Sequence, residues 1–163
     1  MLGGARSGKS AFAESLASSL GGEGVLYVAT VVVAHDADLE RRVRLHRERR
    51  PAGWGTLEIG DLDLVLDAAR SWDAVLLDSL TLWVSARYGD EGETLREFDR
   101  FLEGAATLPA PLILVSDEVG LGVVPESGAG RRFRDALGLV NQRAAAAAAE
   151  VHLCVAGVGL RIK

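Results

Sequence analysis

The sequence predicts an α/β fold: a mainly parallel sheet covered by helices on both faces, with a C-terminal hairpin. Three observations predict it. Continuous apolar runs of strand length, at 25–29, 74–77 and 111–116, alternate with stretches of helical period. The first ten residues, Met1-Leu2-Gly3-Gly4-Ala5-Arg6-Ser7-Gly8-Lys9-Ser10, satisfy the phosphate-loop pattern G-x-x-x-x-G-K-[ST] without a mismatch. The run 74–77 ends in Asp78, which puts a carboxylate at the strand end where such sheets bind ligands.

Only Met1 and Leu2 precede the loop, too few for the buried strand that a phosphate loop normally leaves. The expectation is a chain shortened at its start or a first strand reduced to a stub. Residues 11–20 read as a helix with Phe12, Leu16 and Leu20 at i, i+4 and i+8, broken by Gly21-Gly22-Glu23-Gly24 before the strand 25–29. Residues 34–50 form a helical pattern with sparse apolar positions (Leu39, Val43, Leu45) and crowded arginines, ended by Pro51-Ala52-Gly53. A short strand at 54–59, a helix at 62–69 and the strand 74–78 follow. Helices at 80–87 and 94–102 are joined by Gly89-Asp90-Glu91-Gly92, and 111–116 is the third buried strand. A Gly-rich loop, 117–130, leads into a long helix, 131–150, whose alanine tract is strong helix former. Residues 151–156, the turn Gly157-Val158-Gly159 and 160–163 read as the terminal hairpin. In this arrangement the phosphate loop, Asp78 and the loop beginning at Ser116 converge on one sheet edge.

A chain of 163 residues is expected to form one domain, 1–163, with a real core. A net charge of −5 argues against wholesale binding of nucleic acid or an anionic membrane. The single cysteine, Cys154, sits in an apolar run, which excludes an intrachain disulfide and fits a reducing cytoplasm. No basic segment precedes an apolar stretch at the N-terminus, and no stretch is long enough to span a membrane. A cytoplasmic location is therefore expected.

The loop carries specific chemistry. Glycines let the backbone wrap an anion closely, with successive N–H groups turned inward, and the helix that follows aims the positive end of its dipole at the same point. Lys9 adds a charge for the outer phosphates, and the Ser10 hydroxyl can take a place on Mg²⁺. Of the 18 lysines and arginines only Lys9 and Lys163 are lysine, so a lysine stands where the motif requires one. Asp78 suits a second position on Mg²⁺, although strand-Asp-Ser sequences also cap helices. A second centre is 41–50, where six arginines surround His46 in a net acidic chain. On a helix Arg42, Arg49 and Arg50 share the His46 face, and like charges would hold the imidazole neutral near pH ~7, available as a nucleophile toward phosphorus. A solvated basic face with an incidental histidine is the competing reading, and both stand. His35 and His152 read as structural.

These residues resemble one family. Gly3 through Ser10 have the form of the phosphate loop of the bifunctional adenosylcobinamide kinase/adenosylcobinamide-phosphate guanylyltransferases of cobalamin biosynthesis. The similarity continues through Arg42-Val43-Arg44-Leu45-His46 to Arg50 and Trp54. It also takes in Glu118-Val119-Gly120-Leu121-Gly122-Val123-Val124-Pro125-Glu126, Arg132-Phe133-Arg134-Asp135 and Val140-Asn141-Gln142-Arg143. The resemblance covers nearly the whole chain, and the loop 118–126 together with the arginine-histidine segment is its most specific part. It implies a RecA-like P-loop NTPase fold, GTP, ATP and Mg²⁺ as cofactors, a small-molecule corrinoid substrate, and a homotrimer with the histidine helix near a subunit interface. It further implies that His46 is the guanylylated residue. Nucleotide contacts fall on Gly3, Gly4, Ala5, Arg6, Ser7, Gly8, Lys9 and Ser10, on Thr30, Val31 and Val32, on Arg47, Glu48, Arg49 and Arg50, and on Glu58 and Asp78. Asp117 stands where some members carry an amide.

The reading is a two-step enzyme with Lys9 and His46 as its catalytic residues: phosphorylation of adenosylcobinamide by a nucleoside triphosphate, then GMP transfer from GTP through a guanylyl-histidine to give adenosylcobinamide-GDP. Two alternatives remain at this stage. A single-function P-loop small-molecule kinase would leave the arginine-histidine segment unexplained. A RecA-like nucleotide-dependent binding module is opposed by the negative charge and by the lack of basic patches interleaved with aromatics.

Overall fold

The computed structural model describes residues 1–30, 50–87 and 89–163. Among the described residues seven strands form one sheet: β1 (Leu2–Gly3), β2 (Val25–Ala29), β3 (Gly55–Glu58), β4 (Ala74–Asp78), β5 (Leu112–Asp117), β6 (His152–Val155) and β7 (Val158–Arg161), in the order β3-β2-β4-β5-β1-β6-β7. Every pairing is parallel except the β6–β7 hairpin. The helices among the described residues are α1 (Lys9–Gly21), α2 (Leu62–Ala69), α3 (Leu80–Ser85), α4 (Glu91–Ala105) and α5 (Gly128–Ala147). The α/β class predicted from the apolar runs holds, and the P-loop NTPase-like fold with it.

Side-chain alternation along the central strands divides the core in two. Val25, Tyr27, Ala74 and Leu76 pack with Ala13 and Ala17 of α1 on one face. Leu26, Val28, Val75 and Leu77 pack on the other against Leu62 and Val65 of α2, Trp83 of α3, Phe98 and Phe101 of α4 and Leu137 of α5. Both faces are covered, which is why the central strands read as unbroken apolar runs.

Several boundaries differ from expectation for identifiable reasons. The buried face of α1 is Ala13 and Ala17, not the stripe Phe12, Leu16 and Leu20, and Leu20 is half exposed. Tyr27 and Leu76 bulk out the facing sheet, so small residues let the helix lie close while the larger ones flank it. Helix α4 begins at Glu91, inside what reads as a loop, because Asp90 accepts a hydrogen bond from the Glu93 N–H at 2.9 Å. Ser127 caps α5 in the same way, so that helix starts at Gly128. The hairpin turn is Ala156-Gly157, with φ 50° and 83°, the paired positive φ of a two-residue hairpin; Gly159 belongs to β7. The predicted helix 34–50 lies outside the described residues except for Arg50.

Strand β1 is a two-residue stub in the middle of the sheet, Leu2 opposite Ser116 on one side and Leu153 on the other. Beside its start, the beginnings of β5 and β6 and the ends of α4 and α5 enclose an apolar cleft of about 550 Å³, lined by Leu16, Leu20, Leu112, Leu114, Ala144 and Val151 among others. No helix among the described residues is long and apolar enough to cross a membrane.

Candidate active site

The phosphate loop leaves β1 at Gly3 and enters α1 at Lys9. Two glycines are required by contact. A Cβ on Gly3 would meet Ser7 Oγ at 2.5 Å and the Cys154 carbonyl at 2.6 Å. Gly8 has φ 92°, and a Cβ there would lie 2.9 Å from the Gly157 Cα. The hairpin turn thus buttresses the loop from below, and the Gly157 N–H donates to the Ser7 carbonyl at 2.9 Å. Helices α2, α3, α4 and α5 each begin with a side-chain cap, from Asp61, Ser79, Asp90 and Ser127. Helix α1 instead begins at Gly8, which has no side chain to cap it; its Lys9 N–H reaches Ser7 Oγ at 3.4 Å, and the positive end of the helix faces the loop.

The Lys9 ammonium lies over this loop, donating to the Gly4 carbonyl at 3.2 Å and paired with Asp117 Oδ1 at 2.5 Å. Asp117 ends β5 opposite Gly3. Sequence reading did not single it out as a site residue. The signal was available, since the same rule that marked Asp78, an acid closing an apolar run, applies to it.

Asp78 ends β4 and is half-buried. Tyr27 of β2 donates its hydroxyl to Asp78 Oδ2 at 3.0 Å. Burial, reinforced by the neighbouring Asp78 charge, holds the Tyr27 phenol well above its ordinary pKa, so it is a permanent donor here. The Arg50 guanidinium lies 3.5 Å from the centre of the same ring, and its Nη1 donates to Thr56 Oγ1 at 3.2 Å. Ala29 is in register with both Glu58 and Asp78, so Glu58 lies on this edge too, exposed. Thr30 follows Ala29 and is buried, its hydroxyl donating to the Ser79 carbonyl at 2.6 Å and accepting from the Ser79 N–H at 3.2 Å. It ties the ends of β2 and β4 together.

The structure therefore brings Gly3 through Ser10, Thr30, Arg50, Glu58 and Asp78 to one edge. Val31, Val32, His46, Arg47, Glu48 and Arg49 lie outside the described residues. His152 packs its ring 5.4 Å from Phe12, as a structural histidine does. No group of three or more His, Cys, Asp or Glu among the described residues is placed to hold a metal alone. The Ser10 hydroxyl and the Asp78 carboxylate are hard oxygen donors that fit Mg²⁺, an ion that takes its remaining ligands from phosphate and water.

The sequence matches the family described as cobinamide kinase / cobinamide phosphate guanyltransferase over residues 1–162. The chain belongs to this family. The cobinamide kinase / guanyltransferase assignment is borne out by relatives matched along nearly all of their length. The bifunctional adenosylcobalamin biosynthesis protein CobU of Salmonella typhimurium is 39% identical over 180 aligned positions, covering 100% of this chain and 98% of that protein. The Escherichia coli protein of the same description is 38% identical with the same coverage. The bifunctional adenosylcobalamin biosynthesis protein CobP of Pseudomonas aeruginosa is 41% identical over 167 positions, covering 100% of this chain and 95% of that one. The chain is thus a nucleotide-using enzyme of the kinase and guanyltransferase class acting on a corrinoid, as the resemblance implied.

Proposed function

We propose that residues 1–163 form one nucleotide-binding domain that carries out both transfers at the edge just described. In the kinase step the aminopropanol hydroxyl of adenosylcobinamide attacks the γ-phosphorus of ATP or GTP, a P–O bond forms, and the nucleoside diphosphate leaves. In the transferase step a His46 ring nitrogen attacks the α-phosphorus of GTP, an N–P bond forms, and pyrophosphate leaves. A phosphate oxygen of adenosylcobinamide phosphate then attacks that phosphorus, the N–P bond breaks, and adenosylcobinamide-GDP is formed. Lys9 and the loop N–H groups hold the phosphates, and Ser10 and Asp78 would hold Mg²⁺, which supplies charge neutralisation. Arg47, Glu48, Arg49, Arg50, Thr30, Val31, Val32 and Glu58 complete the nucleotide contacts.

The observation that carries this reading is the chain Arg50–Tyr27–Asp78. It holds Arg50, the described end of the 41–50 segment, beside the acid that ends β4, which supports reading the nucleotide contacts of that segment together with the phosphate loop. A cytoplasmic homotrimer fits the same reading. The loop 118–126 exposes Leu121 and Val123, and β7 exposes Val158 and Leu160, apolar surface suited to burial between subunits. The test is His46→Ala with α-³²P-GTP. The wild-type chain should carry label in an acid-labile, base-stable bond, and the variant should lose both the label and guanylyl transfer while phosphoryl transfer largely survives. Label retained in His46→Ala removes His46 from the mechanism.

A further inference from the structure

The Lys9–Asp117 ion pair places a carboxylate against the one ammonium that a phosphate must reach. An ammonium has three donors, and this one gives one to Asp117 Oδ1 and one to the Gly4 carbonyl. The pair is well shielded, with side-chain exposures of 12% for Lys9 and 27% for Asp117, so it is not a loose surface contact. The backbone at Asp117 is clamped on three sides. Its N–H donates to Thr81 Oγ1 of α3 at 2.8 Å, its carbonyl accepts from Asn141 Nδ2 of α5 at 3.0 Å, and β1 pairs alongside, with the Glu118 N–H donating to the Gly3 carbonyl at 3.2 Å. Two helices and a strand therefore aim this carboxylate at the loop.

We propose that Asp117 is a positioning residue for Lys9: its carboxylate and the nucleotide's phosphate compete for the same ammonium, and this competition sets how tightly the loop holds polyphosphate. The inference rests on the phosphate-loop reading above. A phosphate that engages Lys9 takes its third donor or displaces Asp117, and in either case the carboxylate stands as a like charge beside the bound polyphosphate and draws on the same ammonium. Strand order fixes where it stands, because β5 lies between β1 and β4, between the phosphate loop and Asp78. Both effects weaken binding, and both vanish with a neutral amide of the same shape. The carboxylate also re-engages Lys9 as phosphate departs, which favours release of the more weakly charged product.

Calorimetric titration with GTP and with inorganic tripolyphosphate tests this, alongside the melting temperature of each variant. Asp117→Asn should bind both ligands more tightly, by roughly threefold to tenfold, while Asp117→Glu stays close to wild type. The stabilisation conferred by GTP should grow in Asp117→Asn, although the ligand-free variant melts no higher than wild type. If the asparagine variant does not fold, Asp117→Ala serves for the same titration. Affinity unchanged or weakened in the neutral variant overturns the inference, because a merely structural aspartate gives that outcome. Lys9→Ala separates the two levels of argument. If it leaves GTP affinity intact, the phosphate-loop reading itself falls; if it weakens binding and Asp117→Asn fails to tighten it, only the competition falls.

Discussion

At the scale of single residues, Asp78 is held in place by its neighbours on the sheet edge. Its Oδ2 accepts from a tyrosine that burial keeps protonated, and that tyrosine in turn carries the Arg50 guanidinium on its ring. Ser79, the next residue, takes the capping role that Asp78 might have had: its hydroxyl accepts from the Leu82 N–H at 3.3 Å. The alternative of Asp78 as a helix cap is therefore set aside by its neighbour. Asp78→Asn keeps the shape and an acceptor for Tyr27, so the fold should persist with a stability change of about 1 kcal/mol. The Mg²⁺ concentration for half-maximal phosphoryl transfer should rise roughly tenfold or more, since a hard cation loses an anionic ligand. A magnesium titration beside a urea melt reads both quantities, and loss of stability with unchanged magnesium dependence would return Asp78 to a structural role. Tyr27→Phe keeps the ring under Arg50 and removes only the hydrogen bond, so its magnesium shift should be the smaller of the two.

The elements were legible where chemistry is local. Apolar runs gave β2, β4 and β5 within a residue or two, and the phosphate-loop pattern located both Gly3 and Lys9. What could not be read was contact between distant segments. Nothing in the spacing tells that Gly157 of the last hairpin lies under Gly8, or that Asp117 closes on Lys9, because each pair is joined by strand order alone. The α1 stripe misled because helical period reports large apolar residues, whereas a helix lying close on a sheet buries alanines. The Gly8–Gly157 contact yields a paired test. Gly8→Ala combines a positive φ with a 2.9 Å approach to the Gly157 backbone, so the loop must shift and GTP affinity should fall at least tenfold. Gly157→Ala has the positive φ of 83° but open space around the new methyl. It should cost about 1 kcal/mol of stability and leave GTP affinity within a few-fold. Equal effects of the two substitutions on affinity would show that the loop does not depend on this contact.

At the scale of the whole molecule, the sheet separates two environments. Its C-terminal edge gathers charge and polar backbone for anions, while the opposite end opens on the apolar cleft beside β1. The Met1 ammonium lies at the mouth of that cleft and donates to the Leu114 carbonyl at 2.7 Å. Desolvation holds its pKa below the ordinary 8.0, with Cys154 opposing more weakly. The sign follows from proton counts. Between the lowered value and 8.0 the unfolded chain binds a proton that the folded chain does not, so this group's contribution to stability rises with pH across that interval and is constant above it. Other groups change charge on unfolding as well, so the amine is isolated by difference. Urea unfolding from pH ~6 to ~9 should show the free-amine chain gaining stability relative to an Nα-acetylated one as pH rises toward 8.0, with the difference then level. The same dependence should vanish when residues are appended ahead of Met1, because the amine is then replaced by a peptide N–H that can make the bond to Leu114 without carrying charge. A pH-independent difference between the free and acetylated chains would mean that the ammonium is solvated in the folded state and that the cleft does not shield it.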